Sequence, residues 1–164
     1  MRSHTAKFAL AAACVVSAST LGAKESLGVF EQWAAFRDAA QNRCYAIAMP
    51  LASASQRDYQ PFASIGNWPR RKVRNQVYFK LGRNARADSR ISLRVGNTWY
   101  KMVGRGADAW AADAGTNAAI LAGMRSSQSM TIAATDMRGN RFTDRYPLEG
   151  AATAMDAALV SCGR

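Results

Sequence analysis

Residue types that carry enzymatic chemistry are sparse in this chain. Its one histidine, His4, sits in the first few residues, so nothing downstream offers an imidazole. That removes Ser-His and Cys-His nucleophilic catalysis and the commonest zinc ligand together. Neither Ser-x-x-Lys nor Gly-x-Ser-x-Gly occurs. What remains is carboxylate chemistry. Two acids at a suitable separation suffice to hydrolyse a glycosidic bond, and Asp136 with Asp144, or Asp108 with Asp113, are the available pairs. Isolated aspartates beside turn residues are more often turn formers or surface charges. No catalytic residue, metal ligand or cofactor site is assigned.

One stretch has the composition of a binding site. "GNWPRRKVRNQVYFKLG", from Gly66 to Gly82, sets cations among aromatics. Trp68, Arg70, Arg71, Lys72 and Arg74 would form an anion-binding strip. Trp68 would lie at a membrane interface or stack on a sugar or base, and the cations would meet phosphate. The competing reading is a solvated edge strand whose lysine and arginines block sheet-to-sheet association. Arg83, Arg86, Arg90 and Arg94 would extend the positive surface if "NQVYFKLG" and "RISLRVG" pair as a hairpin. Tyr78 and Phe79 point to opposite faces of a strand, so they make no shared stacking platform for single-stranded nucleic acid.

Charge and compartment decide which anion matters. The 164 residues hold 22 Lys+Arg against 11 Asp+Glu, a formal charge of +11. The opening "MRSHTAKFALAAACVVSASTLGAKES" reads as a secretory leader: Arg2 and Lys7, an apolar run from Phe8 to about Val16, then small residues. Cleavage near residue 23 would remove those two cations and no acid, lowering the charge from +11 to +9. The apolar run is too short to span a bilayer, which takes roughly 20 apolar residues. The alternative, lipid attachment at Cys14 in "AAAC", would anchor the chain. Residues 24–164 then form a single domain, periplasmic or secreted. A basic protein there meets lipopolysaccharide, lipid headgroups or another envelope protein. Nucleic acid is scarce in that compartment and is not expected as a partner.

Of three cysteines, Cys14 belongs to the leader, and Cys44 and Cys162 remain. An even pair in an exported chain most simply forms a disulfide, the alternative being two unpaired buried thiols.

The elements that must position these residues are mainly strands. Period-two alternation marks "NQVYFKLG", "RISLRVG" and "SMTIAATDM", and "RCYAIAMP" and "FTDRY" read as further strands. Gly96-Asn97, between "RISLRV" and "TWYKMV", suits a type II′ hairpin turn. Strands recur at spacings typical of a sandwich or barrel. "TNAAILAGMRSS" predicts a short helix capped by Thr116. The tail predicts a C-terminal helix, with Leu148, Ala152, Met155, Leu159 and Cys162 on one buried face. Leu51 to Asn67 lacks periodicity and is expected to be the least ordered region. Trp33, Trp99 and Trp110 are expected in the core.

The ordered set "FEQWAAF", "CYAIAMP" and "ADAWAADAGTNAAILAGMRSSQSMTIAATDMRGNRFTDRYPLEGAATAMDAALVSC" resembles the invasion-associated locus B family of alphaproteobacterial exported proteins. The match runs from Trp33 to Cys162 and is sharpest from Ala109 onward. The resemblance implies an immunoglobulin-like antiparallel β-sandwich, here with one or two short helices, a periplasmic or surface location, and a role in the envelope or in host-cell contact whose biochemistry is not established for the family. It brings no catalytic residues with it, and the missing imidazole and catalytic motifs make a non-enzymatic role the expectation. The alternatives are a carboxylate-dependent hydrolase of envelope glycan and a polyanion or nucleic-acid binder.

Overall fold

Alternating side chains make ten strands, and all ten join one antiparallel ladder. The computed structural model describes residues 24–53 and 56–163. Residues 1–23, where a leader is expected, with His4 and Cys14, lie outside the described residues. The strands are β1 (Glu25–Phe30), β2 (Trp33–Asp38), β3 (Arg43–Ala48), β4 (Phe62–Trp68), β5 (Val73–Lys80), β6 (Ile91–Val95), β7 (Thr98–Arg105), β8 (Asp108–Ala111), β9 (Ser129–Thr135) and β10 (Arg141–Pro147). Helix α1 (Ala114–Ser126) separates β8 from β9, and α2 (Ala151–Cys162) closes the chain. The order across the sheet is β1-β2-β3-β4-β5-β8-β7-β6-β9-β10.

The fold is thus mainly β and antiparallel, with a C-terminal helix. Its two layers are halves of one continuous ladder that rolls over on itself. Phe79 on β5 meets Tyr146 on β10 edge to face, with ring centroids 5.7 Å apart, although these strands are far apart in the ladder. Trp33, fully buried, donates its indole N–H to the Pro147 carbonyl at 2.9 Å, and Leu51 N–H donates to the Arg145 carbonyl at 2.8 Å. These contacts bring β10 back against the first strands and their connections.

Local chemistry sets the turns. Gly96, at φ +55°, takes the first position of the two-residue link in which Val95 pairs with Thr98. Asn97 has no positive φ, the pattern of a type II′ turn. Between β9 and β10 the side chain of Asp136 accepts hydrogen bonds from Arg138 N–H and Asn140 N–H, both at 2.9 Å. Gly150 precedes α2 at φ +82°, where a Cβ would be driven into the Phe30 carbonyl. Glycine is required there by both backbone and space.

The core lines one face of the sheet and both helices. Ala46, Ile65, Phe79, Leu93 and Ile132 bury their side chains with Ile120 and Met124 of α1 and with Ala151, Ala154, Met155 and Ala158 of α2. Of the expected Leu148, Ala152, Met155, Leu159 and Cys162 face, Met155 is buried and Cys162 packs against the core, but the buried side is turned toward Ala151, Ala154 and Ala158, leaving Ala152 and Leu159 half-buried. Alanines do the packing because their small size lets α2 sit close on β2 and β3. Leu148 is buried, but just before the helix.

Three expectations are corrected. The cap of α1 is Asp113, whose carboxylate accepts the Thr116 N–H at 2.7 Å; Thr116 lies inside the first turn. Residues 62–67, within the stretch expected to lack order, belong to β4, paired with both β3 and β5. Trp99 is 58% exposed, because it stands on the outward side of β7, and Trp110 is half-buried; Trp33 alone of the three is in the core.

Cys44 and Cys162 are bonded, with Cα atoms 5.7 Å apart and a sequence separation of 118. Chain entropy assigns such a loop about 4–5 kcal/mol. The double variant Cys44→Ala/Cys162→Ala should lose about 4 kcal/mol of unfolding free energy in urea titrations. Equal midpoints for the two proteins would show that α2 is held by packing alone.

Candidate anion-binding site

The basic strip occupies the tip of the β4–β5 hairpin. Pro69, with φ already fixed near its helical value, starts a single 3-10 turn over Pro69–Arg71. Lys72 then adopts a left-handed conformation, φ 56°, and its N–H donates to the Pro69 carbonyl at 3.0 Å. This geometry turns the chain within four residues and leaves Arg70, Arg71, Lys72 and Arg74 exposed.

Two asparagine side chains hold the tip in place. Asn67, 2% exposed, accepts the Asn75 N–H at 2.9 Å through its side-chain oxygen. Asn117 of α1 accepts the Val77 N–H and donates to the Asn75 carbonyl, each at 2.9 Å, and so supplies the partners that a neighbouring strand would give β5 at that level. The Asn67 amide nitrogen is buried without an acceptor. Nothing in the periodicity of "ASIGNW" singles out Asn67 or Asn117, whose roles come from distant backbone.

Lys72 and Arg74 share a hollow of ≈ 450 Å³ with Asn67, Leu159, Cys162 and Gly163. The last three close α2, and the carbonyl end of a helix attracts cations. Lys72 and Arg74 thus have a partial structural partner, whereas Arg70 and Arg71 do not line this hollow. Among the described residues, no carboxylate forms an ion pair with any of the four. Trp68 does not join them. It is half-buried, with its indole over Gly66, where a Cβ would collide with the ring, so it stacks on backbone.

The expected extension of this surface fails, because β5 pairs with β4 and β8 while β6 pairs with β7 and β9. Arg83 instead meets Asp136 at 2.9 Å and Arg86 meets Asp88 at 2.6 Å. Arg94 lies over Trp99, 5.8 Å from the ring centre, on the far half of the sheet.

The four candidate carboxylates are each committed elsewhere. Asp144, 2% exposed, accepts two hydrogen bonds from Arg57, at 2.9 and 3.2 Å, and one from Gly82 N–H at 3.2 Å. Burial pushes the Asp136 carboxyl up, but hydrogen bonds from Asn140 N–H, Arg83 and Arg138 N–H outweigh it, and the group titrates below its ordinary value. Asp108 accepts the Tyr78 hydroxyl at 2.6 Å and the Lys80 ammonium at 3.2 Å. Asp113 caps α1, and the Thr116 N–H holds its carboxyl below the usual range. Register adds a distance argument. Asp144 pairs with Ile132, so Asp136 lies four residues further along, roughly 13 Å at strand rise. A glycosidase pair needs about 5–9.5 Å.

Among the described residues no group of acids, histidines and cysteines could hold a metal ion, and no helix is long and apolar enough to cross a membrane. Comparison with known proteins finds no matching family model, no similar curated protein and no similar solved structure.

Two outcomes follow for the acids. Asp144→Asn leaves Arg57 beside a neutral amide, a loss of about 3 kcal/mol by the cost of breaking a buried pair, visible as a lowered melting temperature. Asp136 has a depressed folded-state value, so its stabilisation is complete above the unfolded value near 4 and fades as pH falls through the folded value. Stability of the wild type should therefore drop below about pH 4 more steeply than that of Asp136→Asn; parallel acid limbs would show that Asp136 contributes nothing.

Proposed function

We propose that this chain is an exported, non-enzymatic protein of the cell envelope, periplasmic or secreted, which holds anionic envelope components at the tip of its β4–β5 hairpin. The observation that carries this reading is the set Arg70, Arg71, Lys72 and Arg74, exposed within five residues and without a carboxylate partner among the described residues. Four cations at one point with no carboxylate among them repel one another, and phosphate oxygens relieve that repulsion. The ligands that fit are lipopolysaccharide phosphates and lipid headgroups.

Three further features support it. A leader-like opening and a disulfide suit an oxidising compartment. The candidate carboxylates are occupied by cations and backbone N–H groups, which favours a binding role over glycan hydrolysis. The resemblance to invasion-associated locus B proteins points to the envelope or to host-cell contact.

Binding of purified protein to lipopolysaccharide, followed by surface plasmon resonance, tests the reading. Each cation near an anionic surface contributes about 1 kcal/mol, so Arg70→Ser/Arg71→Ser should weaken binding roughly thirtyfold, and rising salt should weaken the wild type. An unchanged affinity in the variant removes the tip as the site.

A further inference from the structure

The outward side of β7, β6, β9 and β10 carries a second set of cations that meets no acid. Register aligns Trp99, Arg94, Thr131 and Arg145 in one row across the four strands. Lys101 opens the next row, opposite Ser92. Neighbouring strands lie roughly 4.8 Å apart, so Arg94 and Arg145, two strands apart, are rooted about 10 Å from each other. Arg141 follows on β10 about 13 Å along the strand. All four cations are exposed, and among the described residues none is in an ion pair.

The inward side of the same strands is core, with Leu93, Met102, Ile132 and Phe142 buried. The cations therefore stand on a rigid support. Trp99 is a large aromatic left 58% exposed beside the Arg94 guanidinium. Amphipathic indole beside arginine is the chemistry of the bilayer interface, where tryptophan settles at headgroup level.

We propose that this sheet face lies against an anionic lipid bilayer, with Arg94, Lys101, Arg141 and Arg145 meeting headgroup phosphates and Trp99 entering the interfacial layer. The shape favours a bilayer over a nucleic acid. A broad sheet face spreads its charges over two dimensions, as headgroups are spread. A single strand needs a line of stacking aromatics, and Trp99 stands without another aromatic in its row. The surface is distinct from the hairpin tip and does not rest on it.

Flotation with vesicles of phosphatidylglycerol and phosphatidylcholine in equal parts, against pure phosphatidylcholine, tests the proposal in the Arg70→Ser/Arg71→Ser background, so that the tip contributes little. The protein should float with anionic vesicles only. Adding Arg94→Ser and Arg145→Ser should weaken binding roughly thirtyfold, at about fivefold per cation. Tryptophan emission should shift to the blue on vesicle addition, and the shift should vanish in Trp99→Phe. Near-UV circular dichroism checks folding; if the first pair of changes unfolds the chain, Lys101→Gln/Arg141→Gln decides by the same loss. Undiminished vesicle binding in the folded face variant overturns the proposal. So does a wild type that ignores vesicles while binding heparin or an oligonucleotide, which would assign the face to a soluble polyanion. Loss at the tip alone upholds the tip reading and sinks this one; loss at the face alone does the reverse.

Discussion

The rest of the structure depends on the closure of one long sheet upon itself, and the Cys44–Cys162 bond ties the helix that follows the last strand to the buried strand β3. A ten-stranded antiparallel ladder has two edges and one apolar face to hide. Rolling brings β10 to the first strands and encloses α2 against β1, β2 and β3. The helix reaches that place because its inner side is alanine around the single larger side chain of Met155, which permits close packing at the cost of weak side-chain grip. A covalent link from its last turn to β3 supplies what the alanines do not. Without it, the closing helix would be the first element to fray.

Where the rolled sheet meets itself, the junction is polar as well as apolar, and it consumes two of the aspartates with catalytic potential. Arg57 and Gly82 N–H hold Asp144, Arg83 holds Asp136, and the Arg86 N–H reaches the Thr135 carbonyl at 2.9 Å. Each buried carboxylate has a cation and a backbone donor, the arrangement a buried charge needs to be tolerated. One of the two pairs that a chemist would shortlist for glycan hydrolysis, Asp136 with Asp144, seals the roll, while Asp108 and Asp113 are held by a neighbouring strand and a helix cap.

Alternation made much of this legible. Val77, Phe79 and Leu81, and Ile91, Leu93 and Val95, mark their strands and buried faces without help from any distant residue, and Gly96-Asn97 marks its hairpin. Legibility stopped where small residues carry the packing. In "FASIGNW" the inward positions include Ala63, and Gly66 yields its space to the Trp68 ring, so the apolar contrast that announces a strand is muted. The alanines of α2 blurred the helix face for the same reason. Thr116 looked like a cap because it opens the apolar run, but Asp113, three residues earlier, accepts more strongly. Trp99 looked like core because of its size, and only the register of β7 puts it outside.

The charge excess has the widest gap between sequence and structure. Cations clustered in sequence, such as Arg70 to Arg74, were visible at once, but adjacency overstated their reach. Arg83 and Arg86, close by in the chain, are spent on Asp136 and Asp88. Arg94 and Arg145, 51 positions apart by their numbers, become neighbours in one row only through the β6–β9–β10 ladder. Because the acids are drawn into the junction, caps and turns, the unpaired cations are left on outward strand positions and on the hairpin tip. The positive surfaces are thus a consequence of how the sheet closes, and any partner they meet is selected by that geometry before it is selected by charge.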